Sequence, residues 1–518
     1  MKSQDKSACV YLVGAGPGSP GLLTVRGAEL LSRADIVVYD QLVPKRMLDC
    51  VRPDAERVCV RDLPGKHPEK YPHIFDLMIE RARAGQTVVR LKGGDPLIFG
   101  RGGEEAEALT QAGIEYEIVP GVTAALAAAS YLDFPLTHRQ FSSAVALVTG
   151  HELPNKAGNI LDWSALARFP GTLAIYMGVA RLPIIVSELL KFGKDPETPS
   201  CIVERAGTGE MRSVVAKLGD LVEARRNAGL ESPGLIIIGE VVALRREPSW
   251  FESKPLFGRR VLVTRPRHQS ESFIRKLETL GAVVTLMPAM EIREPHDPGP
   301  LDQAIDTLKS GNWDWVVFSS ANGVDALVKR IRAKGRDLRV LGSVKLATVG
   351  EKTAAALRQY HLEPDAVPAA PHFSASALAD RLIHDAAGKR ILLVGTVGGK
   401  KTLAERLSEV ADVHSVAAYE QVESVDPQHE AFAAMRRGEI QSITVMSANA
   451  ARAVSIGFDD VIRGRIERGE IQIVAISEDA VRGFQANPAL PASIADQATE
   501  DGMIQELVKL VTLNPASH

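Results

Sequence analysis

The sequence predicts an α/β protein built from several lobes. Short β-branched runs recur along the chain, each followed by a glycine- or serine-rich loop and a helical pattern. The second half repeats this unit: residues 260–265 correspond to 390–395, 318–324 to 446–452, and 347–354 to 474–481. With 518 residues, the chain is long enough for about three or four domains.

Composition and charge limit the classes of function. Aromatic residues make up 5% of the chain and the net charge is −3, which indicates neither a base-stacking surface nor a basic field, so we expect no nucleic acid partner. No apolar run reaches membrane-spanning length and the first residues lack the apolar core of a signal peptide, so we expect a cytoplasmic protein without a membrane partner. The four cysteines form no Cys-x-x-Cys pair, which indicates reduced thiols, and the histidine spacing predicts no metal site.

The most informative stretch is residues 88–105, which read VVRLKGGDPLIFGRGGEE. A buried strand is predicted at its start, ended by two glycines and Asp95-Pro96, because proline cannot donate to a strand ladder. A second glycine cluster precedes a helical pattern over residues 104–113. Asp95, Arg101 and Glu104 lie on this loop, and open α/β sheets bind ligands at such strand ends. The stretch is either a ligand site or a tight turn without one.

The first strand, predicted over residues 10–13, leads into the glycine-rich loop 14–21 and a helix over 22–33. This pattern is typical of dinucleotide sites, but Ser19 stands where the third glycine is needed, and Pro17 and Pro20 stiffen the loop. Asp40 follows the strand over 36–39. It could bind a ribose, cap the strand end, or act as a base that faces the cleft.

A third loop follows the strand over residues 116–119. Thr123 and Ala124 begin a helix, where backbone N–H groups are available to a ligand or to a plain N-terminal cap. A second subdomain then begins near residue 137, with strands predicted over 144–149, 172–177, 200–204 and 234–238 and a helix over 183–192. Met177, at a strand end, is either a core plug or the soft wall of a cofactor pocket.

Together these motifs carry a resemblance. GAGPGSPGLLT, VVRLKGGDPLIFGRGGEE, VPGVTAA, LTHR, VTGH and YMG occur in this order between residues 10 and 244, and this arrangement resembles the uroporphyrinogen-III C-methyltransferases of the tetrapyrrole methylase family. The resemblance implies two α/β lobes with S-adenosylmethionine in the cleft, and a homodimer formed through this half of the chain.

The resemblance also implies site residues. It places S-adenosylmethionine against Pro17, Gly93, Gly94, Asp95, Ile98, Thr123, Ala124, Met177, Ala206 and Gly234, and the tetrapyrrole and its catalytic groups at Asp40, Arg101, Glu104 and Arg139. Ser19 replaces the family's usual acidic residue. The family's Gly-Lys falls in ungapped register on Arg61-Asp62, while Gly65-Lys66 lies four residues later, so Lys66 is a proton donor only if the loop is re-formed.

The implied chemistry suits these residue types. The methyl group of a sulfonium is already activated, so the enzyme mainly has to align donor and acceptor. The electron-rich acceptor then loses a proton, which requires a base such as a carboxylate. Arg101 and Arg139 are natural clamps for a substrate that carries many carboxylates.

The second half is a pair of lobes joined to the first half by a junction. Residues 246–256 have no periodicity and read as a linker, whose aromatic residues either dock on one half or stay flexible. Beyond it, strand-ending loops rich in Ser, Thr, Asn and Gly predict two parallel-sheet lobes with a hinged cleft between them. VLVTRP, VVFSSAN, ATVGEKTA and AAYE resemble the uroporphyrinogen-III synthase family over about residues 257–513.

This second resemblance implies a bilobal fold with a two-stranded connection near residues 291–293 and 419–422, and closure of hydroxymethylbilane with loss of water. Tyr419 matches a tyrosine proposed to assist departure of the hydroxyl group; it could instead be a packed hinge aromatic. A lysine replaces one of the family's arginines near residues 399–401. The expected cleft lining is Thr264, Arg265, Ser319, Ser320, Asn322, Thr348, Gly350, Thr353, Ser447 and Asn449.

The sequence thus predicts a bifunctional enzyme that makes uroporphyrinogen III and methylates it twice to precorrin-2, for sirohaem or cobalamin. The predicted domains are 1–245 (subdomains 1–137 and 138–245), linker 246–256, and 257–518 (lobes 257–291 plus 423–514, and 294–418). One alternative is a methylase of a later corrin intermediate with a non-catalytic, tetrapyrrole-binding C-terminal half. A nicotinamide oxidoreductase is a third possibility, disfavoured by Ser19.

Overall fold

The chain forms two compact units with mixed α/β structure. The computed structural model describes residues 9–65, 70–151, 161–308, 310–369, 374–399, 401–484 and 490–513. One unit consists of Met1–Arg260, Arg275–Val284 and Val508–His518, and the other of Val261–Ile274 and Thr285–Leu507. Within the described residues the strands form four five-stranded sheets, which confirms the predicted α/β class.

The first sheet is parallel throughout and has the order β3-β2-β4-β1-β5. Hydrophobic clusters lie on both of its faces, as expected for a doubly covered sheet. The carboxyl ends of β1, β4 and β5 are neighbours, so the three glycine-rich loops of the sequence meet at one edge. Its elements are β1 (Cys9–Gly14), α1 (Val25–Arg33), β2 (Ile36–Tyr39), β3 (Glu56–Cys59), α2 (Lys70–Arg83), β4 (Val88–Lys92), α3 (Gly102–Gln111), β5 (Glu115–Val119) and α4 (Ala124–Tyr131).

The first helix begins later than the sequence pattern predicts. Residues Pro20–Leu22 form a short 3-10 turn, and the α-helix starts only at Val25. Thr24 caps this helix, because its hydroxyl accepts the N–H of Gly27 at 3.1 Å. The prolines at positions 17 and 20 favour such a tight turn before the helix.

The second sheet has the order β6-β7-β10-β8-β9 and is mixed. Only β6 and β7 pair in parallel; β7–β10, β10–β8 and β8–β9 are antiparallel. The edge strand β9 is absent from the sequence prediction. It follows β8 after a short turn, which suits an antiparallel pair because a parallel one needs a long crossover. The elements are β6 (Val145–Thr149), α5 (Trp163–Arg168), β7 (Thr172–Tyr176), α6 (Leu182–Lys191), β8 (Pro199–Glu204), β9 (Arg212–Lys217), α7 (Leu221–Ala228) and β10 (Gly234–Ile238).

The second half alternates strands and helices. Its strands are β11 (Arg260–Val263), β12 (Val283–Leu286), β13 (Met290–Arg293), β14 (Trp315–Phe318), β15 (Lys345–Thr348), β16 (Arg390–Thr396), β17 (Asp412–Glu423), β18 (Ser442–Val445), β19 (Gln472–Ala475) and β20 (Ala492–Ile494). Its helices are α8 (Arg267–Thr279), α9 (Gly299–Leu308), α10 (Ala321–Ala333), α11 (Glu351–Gln359), α12 (Ala375–Leu382), α13 (Thr402–Ser408), α14 (Glu430–Arg437), α15 (Ala448–Ser455), α16 (Asp460–Glu467), α17 (Glu478–Arg482) and α18 (Glu500–Leu513).

These strands form two sheets, as the internal repeat predicts. One has the order β12-β11-β18-β19-β20 and the other β13-β17-β16-β14-β15. The pairs β11–β18, β18–β19 and β19–β20 are parallel in the first, as are β14–β15, β14–β16 and β16–β17 in the second. Strands β13 and β17 pair in antiparallel register, with Glu291 opposite Val422. This pair lies where the resemblance implies the connection between lobes.

The predicted junction packs on the first half. The indole N–H of Trp250 donates to Ser130 O at 2.7 Å, and the Trp250 ring lies 5.4 Å from the Tyr131 ring. Phe251 is buried against the same tyrosine, at 4.7 Å between ring centroids. Of the two alternatives for these aromatic residues, docking is therefore confirmed. The exact domain boundaries stay a prediction.

Other sequence expectations concern membrane-spanning helices, metal ligands and cysteines. In the parts of the chain that the structure describes, no helix is both long and apolar enough to cross a bilayer. The same residues contain no group of three or more His, Cys, Asp and Glu side chains that could hold a metal ion. All four cysteines are free thiols.

Candidate active sites

Glycines allow the loops after β1, β4 and β5 to touch one another. Gly16 and Gly94 exchange two backbone hydrogen bonds, of 3.1 and 2.9 Å. A Cβ atom on Gly121 would lie 2.2 Å from Gly94 O, and one on Gly14 would lie 2.6 Å from the Gly121 Cα. Only glycine permits this approach. The contact, which we call the glycine junction (Gly14, Gly16, Gly94 and Gly121), brings the predicted residues Pro17, Gly93, Asp95 and Thr123 to one edge of the sheet.

Asp95 braces this junction. Its Oδ1 accepts the N–H of Leu97 at 2.8 Å and its Oδ2 accepts the N–H of Gly121 at 3.0 Å. Both carboxylate oxygens therefore hold loop backbone, the first within its own loop and the second in the loop before α4. The aspartate predicted to meet the cofactor thus also fixes the shape of the surface around it.

The start of α4 is occupied by a tyrosine that the sequence analysis does not identify. The hydroxyl of Tyr176 lies 2.7 Å from Thr123 Oγ1 and accepts the N–H of Ala125 at 3.0 Å. Burial is the main reason that the pKa of Tyr176 is raised, so this hydroxyl stays protonated. Thr123 stands at the N-cap position without a capping side-chain bond. A plain threonine cap is therefore not observed, and the N–H of Ala125 donates to the tyrosine. In the sequence, the sign of this residue is its place in the YMG motif, of which Tyr176 is the first residue.

Exposed apolar side chains lie beside these polar turns. Met177 has a left-handed backbone (φ 53°) and is 52% exposed, so the core-plug interpretation is wrong. The Phe99 ring packs 4.9 Å from the ring of Tyr176, and Leu97 is 56% exposed. A Cβ on Gly93 would meet only Leu42, at 3.9 Å, so the space beside this glycine is open. Apolar walls beside open backbone fit a ligand with an apolar ring and a polar tail.

Two further predicted residues belong to the second sheet. Gly234 begins β10 and pairs with Glu204 at the end of β8. Ala206 follows β8 and is partly buried against the cluster that contains Ala125 and Leu235. A Cβ on Gly234 would lie 3.0 Å from the side chain of Val179. Close packing thus explains this glycine, independently of a ligand.

Asp40 follows β2 and contacts a buried group of charges. Arg90 Nη2 donates to its Oδ1, and Arg90 Nε donates to Glu105 Oε1 at 2.9 Å. Lys92 Nζ donates to the same oxygen of Glu105 at 2.8 Å. Burial, followed by the positive charge of Arg90, lowers the pKa of Lys92. Burial alone would lower the pKa of Arg90 too, but Asp40 and Glu105 outweigh it and raise the value. Asp40 is thus neither a plain strand cap nor an isolated carboxylate.

Three charged residues of the predicted tetrapyrrole site lie at the surface: Arg101, Glu104 and Arg139. Arg101 precedes α3 in a left-handed conformation (φ 59°), and its Nε lies 3.0 Å from Glu104 Oε1. Its guanidinium stacks 3.5 Å from the centroid of the Tyr71 ring. Arg139 is exposed in the turn closed by the bridge between His138 and Ser142. Lys66 lies outside the described residues.

In the second half, Tyr419 is packed in the core with its hydroxyl engaged. It is 4% exposed, and its hydroxyl lies 2.9 Å from Ser320 Oγ. The same serine oxygen accepts the N–H of Gly323 at 3.1 Å and so caps α10. A cavity of about 320 Å³ opens beside Tyr419 and Asn322, with Arg293 and Lys329 in its wall. The packed hinge position is observed, and the chemical role of the hydroxyl stays a prediction.

Many predicted polar residues of the cleft hold their own loops. Ser447 caps α15 as Ser320 caps α10, with 3.2 Å from its hydroxyl to the N–H of Ala450. Ser319 donates to Val394 O at 3.2 Å, and Asn449 accepts from Arg452 at 2.6 Å. Gly350 stands at the N-cap of α11. These contacts explain why the repeated strand-ending motifs contain hydroxyls, since each starts a helix.

Three predicted threonines are buried. Thr264 and Thr348 are 1% and 0% exposed, and Thr353 is 4% exposed. Thr264 donates to Thr444 O at 2.8 Å. These side chains cannot line an open cleft in this structure, because they are covered by protein. Sequence alone could not separate them from exposed hydroxyls in the same motifs.

Two contacts connect residues of the predicted cleft. Arg265 follows β11 and forms an ion pair of 2.6 Å with Glu500. Gln269 on α8 donates to Asn322 on α10 at 2.5 Å. Arg265 and Asn322 were predicted; Gln269 and Glu500 were not, because nothing in their local sequence distinguishes them from surface residues.

Comparison with known proteins finds a family match for each half of the chain. Residues 9–222 match the family model of tetrapyrrole (corrin/porphyrin) methylases, and residues 271–505 match that of uroporphyrinogen-III synthase HemD. The porphyrin biosynthesis protein HemD of Ruminiclostridium josui is 39% identical over 69% of this chain and 71% of its own length. The S-adenosyl-L-methionine-dependent uroporphyrinogen III methyltransferase of Methanosarcina barkeri is 43% identical over 45% of this chain and 92% of its own.

The chain belongs to the tetrapyrrole methylase family. The family match covers the glycine junction, Asp40 and Tyr176, and the second match covers Tyr419 and its serine partner. Both recognitions made from the sequence are therefore confirmed. Among solved structures, the uroporphyrin-III C-methyl transferase of Thermus thermophilus with S-adenyl homocysteine is 44% identical over 45% of this chain and 99% of that chain, with a TM-score of 0.39.

Proposed function

We propose that this tetrapyrrole methylase is bifunctional. Its C-terminal half closes hydroxymethylbilane to uroporphyrinogen III with loss of water, and its N-terminal half transfers two methyl groups from S-adenosylmethionine to that product. The result is precorrin-2, a precursor of sirohaem or cobalamin. Two matches in one chain support this proposal, one to a methylase family and one to the uroporphyrinogen-III synthase family. The domain boundaries predicted from the sequence belong to this proposal.

The observation that carries the methylase proposal is the glycine junction beside exposed apolar side chains. S-adenosylmethionine supplies an electrophilic methyl group on a sulfonium. We assign its binding to Pro17, Gly93, Gly94, Asp95, Ile98, Thr123, Ala124, Met177, Ala206 and Gly234. Backbone N–H and C=O groups of the glycine junction would bind the polar ends of S-adenosylmethionine. The side chains of Met177 and Ile98 would pack against the face of its flat aromatic ring. The name of the Methanosarcina relative states the same donor.

Charged residues near this surface suit the acceptor. Asp40 is 31% exposed in its side chain and is the member of the buried charge group that reaches solvent. When a ring carbon forms its bond to the methyl group, the ring becomes cationic, and Asp40 takes the proton that restores neutrality. Arg101, with Glu104 beside it, and Arg139 hold substrate carboxylates. A proton-donating role for Lys66 stays a proposal from the sequence.

For the synthase half, we propose that the hydroxyl of Tyr419 assists the leaving group. The carbon–oxygen bond of the hydroxymethyl group breaks, and its carbon bonds to the carbon of the last ring that already carries the bridge to the third ring. That bridge bond then breaks and re-forms at the free carbon of the last ring, which inverts this ring. The displaced hydroxyl leaves as water with the proton that the free carbon loses. Arg265, Ser319, Ser320, Asn322, Gly350, Ser447 and Asn449 would face the substrate. Thr264, Thr348 and Thr353 would instead support the turns, since they are buried.

The test gives purified full-length protein hydroxymethylbilane and S-adenosylmethionine together. We expect a dimethylated type-III ring, identified by mass and by isomer analysis. Uroporphyrinogen I alone, the spontaneous product, would overturn the synthase assignment. Uroporphyrinogen III without methyl transfer would overturn the methylase assignment and direct the test to later corrin intermediates. We also propose a homodimer through the methylase half, which light scattering of the same sample measures.

A further inference from the structure

A cluster of four charges lies inside the first lobe, between β4, α3 and the end of β2. Arg90 and Lys92 are each 2% exposed and Glu105 is 0% exposed, whereas Asp40 reaches the surface. Two positive and two negative charges make the cluster neutral overall. Burying a charge costs free energy because the charge loses its hydration, so buried charges are normally paired. A buried ion pair is nevertheless weak evidence that the pair stabilises the fold.

Arg90 is the centre of this cluster. Its Nη2 donates to Asp40 Oδ1, its Nε donates to Glu105 Oε1 at 2.9 Å, and its Nη1 lies 3.3 Å from both Val38 O and Leu91 O. All three nitrogens of the planar guanidinium are therefore engaged. A planar fork fixed at each nitrogen can hold a carboxylate in one orientation only.

The other members hold Arg90 in place. Glu105 Oε1 accepts hydrogen bonds from both Arg90 and Lys92. Glu105 Oε2 is buried and has no hydrogen-bond partner among the described residues. The backbone of Asp40 is fixed as well, because its N–H donates to Leu91 O at 3.1 Å. Strand β4 thus holds Asp40 twice: Leu91 O accepts its backbone N–H, and Arg90 donates to its side chain.

We propose that Arg90 is a positioning residue for methyl transfer, which orients the carboxylate of Asp40 and is itself held by Glu105 and Lys92. This inference rests on the proposed role of Asp40 as the base. It explains why two cations occupy the buried central strand of a sheet, where apolar residues would pack at less cost. Arg90 touches neither donor nor acceptor and acts through Asp40.

The experiment is a double-mutant cycle of Arg90→Lys and Asp40→Asn in the full-length protein. Lysine keeps the charge but lacks the fork, so it cannot reach Asp40 and Glu105 in the same geometry. We expect Arg90→Lys to lower kcat for methyl transfer by up to ~100-fold, as misplacement of a catalytic group does. The Kd for S-adenosylhomocysteine should change less than about twofold, because Arg90 is not proposed to contact the cofactor. Loss of a hydrogen bond to a charged group would instead raise the Kd by about tenfold.

The cycle separates positioning from general damage. In the Asp40→Asn background, Arg90→Lys should cost little further activity, because the group through which it acts is gone. Arg245→Lys is the matched control: Arg245 is 6% exposed in its side chain, pairs with Glu252 at 2.9 Å and lies outside the site, so kcat should be unchanged. If Arg90→Lys does not fold, Glu105→Gln replaces it in the same cycle, because it loosens Arg90 without removing it.

Each outcome decides between specific statements. Wild-type kcat in both Arg90→Lys and Glu105→Gln, with kcat strongly lowered in Asp40→Asn, would overturn the positioning role but leave Asp40 as the base. An equal fold-loss in the Asp40→Asn background would show a structural role only. Wild-type kcat in Asp40→Asn would overturn the proposed base and this inference together. Absence of methyl transfer by the wild-type protein would overturn the proposed function itself.

Discussion

The side chain of Tyr176 connects the second sheet to the start of helix α4, which follows the first sheet. It ends β7 in the second sheet, yet its hydroxyl bonds Thr123 and Ala125 at the start of α4. Sequence analysis found Met177 and Thr123 separately, because each belongs to a recognisable motif. Local motifs do not reveal the bond between Tyr176 and Thr123, since these two residues lie 53 positions apart and meet only through folding.

We predict that Tyr176→Phe weakens cofactor binding without removing it. The change deletes one hydroxyl that serves two partners, and a typical hydrogen bond contributes about 1 kcal/mol. We expect a roughly fivefold to tenfold higher Kd for S-adenosylhomocysteine by calorimetry, and a stability loss of about 1–2 kcal/mol in denaturant unfolding.

Tyr116→Phe is the matched control for this change. Tyr116 lies on β5 of the first sheet and its hydroxyl is exposed, 3.5 Å from Thr110 Oγ1. The same atom is deleted there without loss of a buried contact, so binding and stability should stay at wild-type values. Equal affinity of Tyr176→Phe and wild type would contradict the role given to this hydroxyl.

At the level of elements, the glycine junction joins the carboxyl ends of three parallel strands. These strands and loops are predictable from the sequence because glycine and proline interrupt β-branched runs. It did not predict β9 or the antiparallel pairing of the second sheet, since strand order depends on connection length and on packing rather than on local pattern. The helix after the first loop was shifted for a local reason, the 3-10 turn before Thr24.

We predict that Gly121→Ala opens the junction. The added Cβ would lie 2.2 Å from Gly94 O, and backbone cannot move away as a flexible side chain can. Overpacking of this kind typically costs about 1–3 kcal/mol. A lower melting temperature in calorimetry, and weaker binding of S-adenosylhomocysteine in proportion, are the expected results.

Gly103→Ala provides the comparison on the neighbouring loop. A Cβ on Gly103 would meet no atom within 4 Å, and the residue lies in the first turn of α3. Alanine favours a helix over glycine by up to about 1 kcal/mol, so stability should be equal or higher. If Gly121→Ala were as stable and as tightly binding as Gly103→Ala, the junction would not shape the site.

At the level of the whole molecule, two matched families share one chain, and each half has its own sheets and its own cores. The candidate groups Asp40 and Tyr419 belong to different units. A change at either position should therefore affect one reaction only, because each side chain belongs to the packing of its own unit.

We predict that the two activities can be separated by single substitutions. Asp40→Asn should slow methyl transfer by about 100-fold or more, with a measurable residual rate, yet still form uroporphyrinogen III from hydroxymethylbilane. Tyr419→Phe should slow cyclisation by about 100-fold, as loss of an acid–base group does, and still methylate supplied uroporphyrinogen III. Isomer analysis of the oxidised porphyrins and methyl incorporation measure the two reactions.

Tyr360→Phe is the control for the synthase half, since Tyr360 lies in the same unit and donates to Asp325 at 3.0 Å. It should cyclise at the wild-type rate. Loss of both activities in Asp40→Asn or in Tyr419→Phe would contradict independent sites.

The sequence by itself determined the α/β class, the division into repeated strand–loop–helix units, the family of each half and the loops at which the candidate sites lie. These follow from local patterns: β-branched runs, glycines that permit close backbone approach, and serines that start helices. The tertiary structure decided which polar groups remain available. Thr264 and Thr348 are buried, and Arg90 is paired with Asp40. The hydroxyls of Ser320 and Ser447 cap helices. Such outcomes depend on which distant segments become neighbours, and short-range pattern carries no record of that.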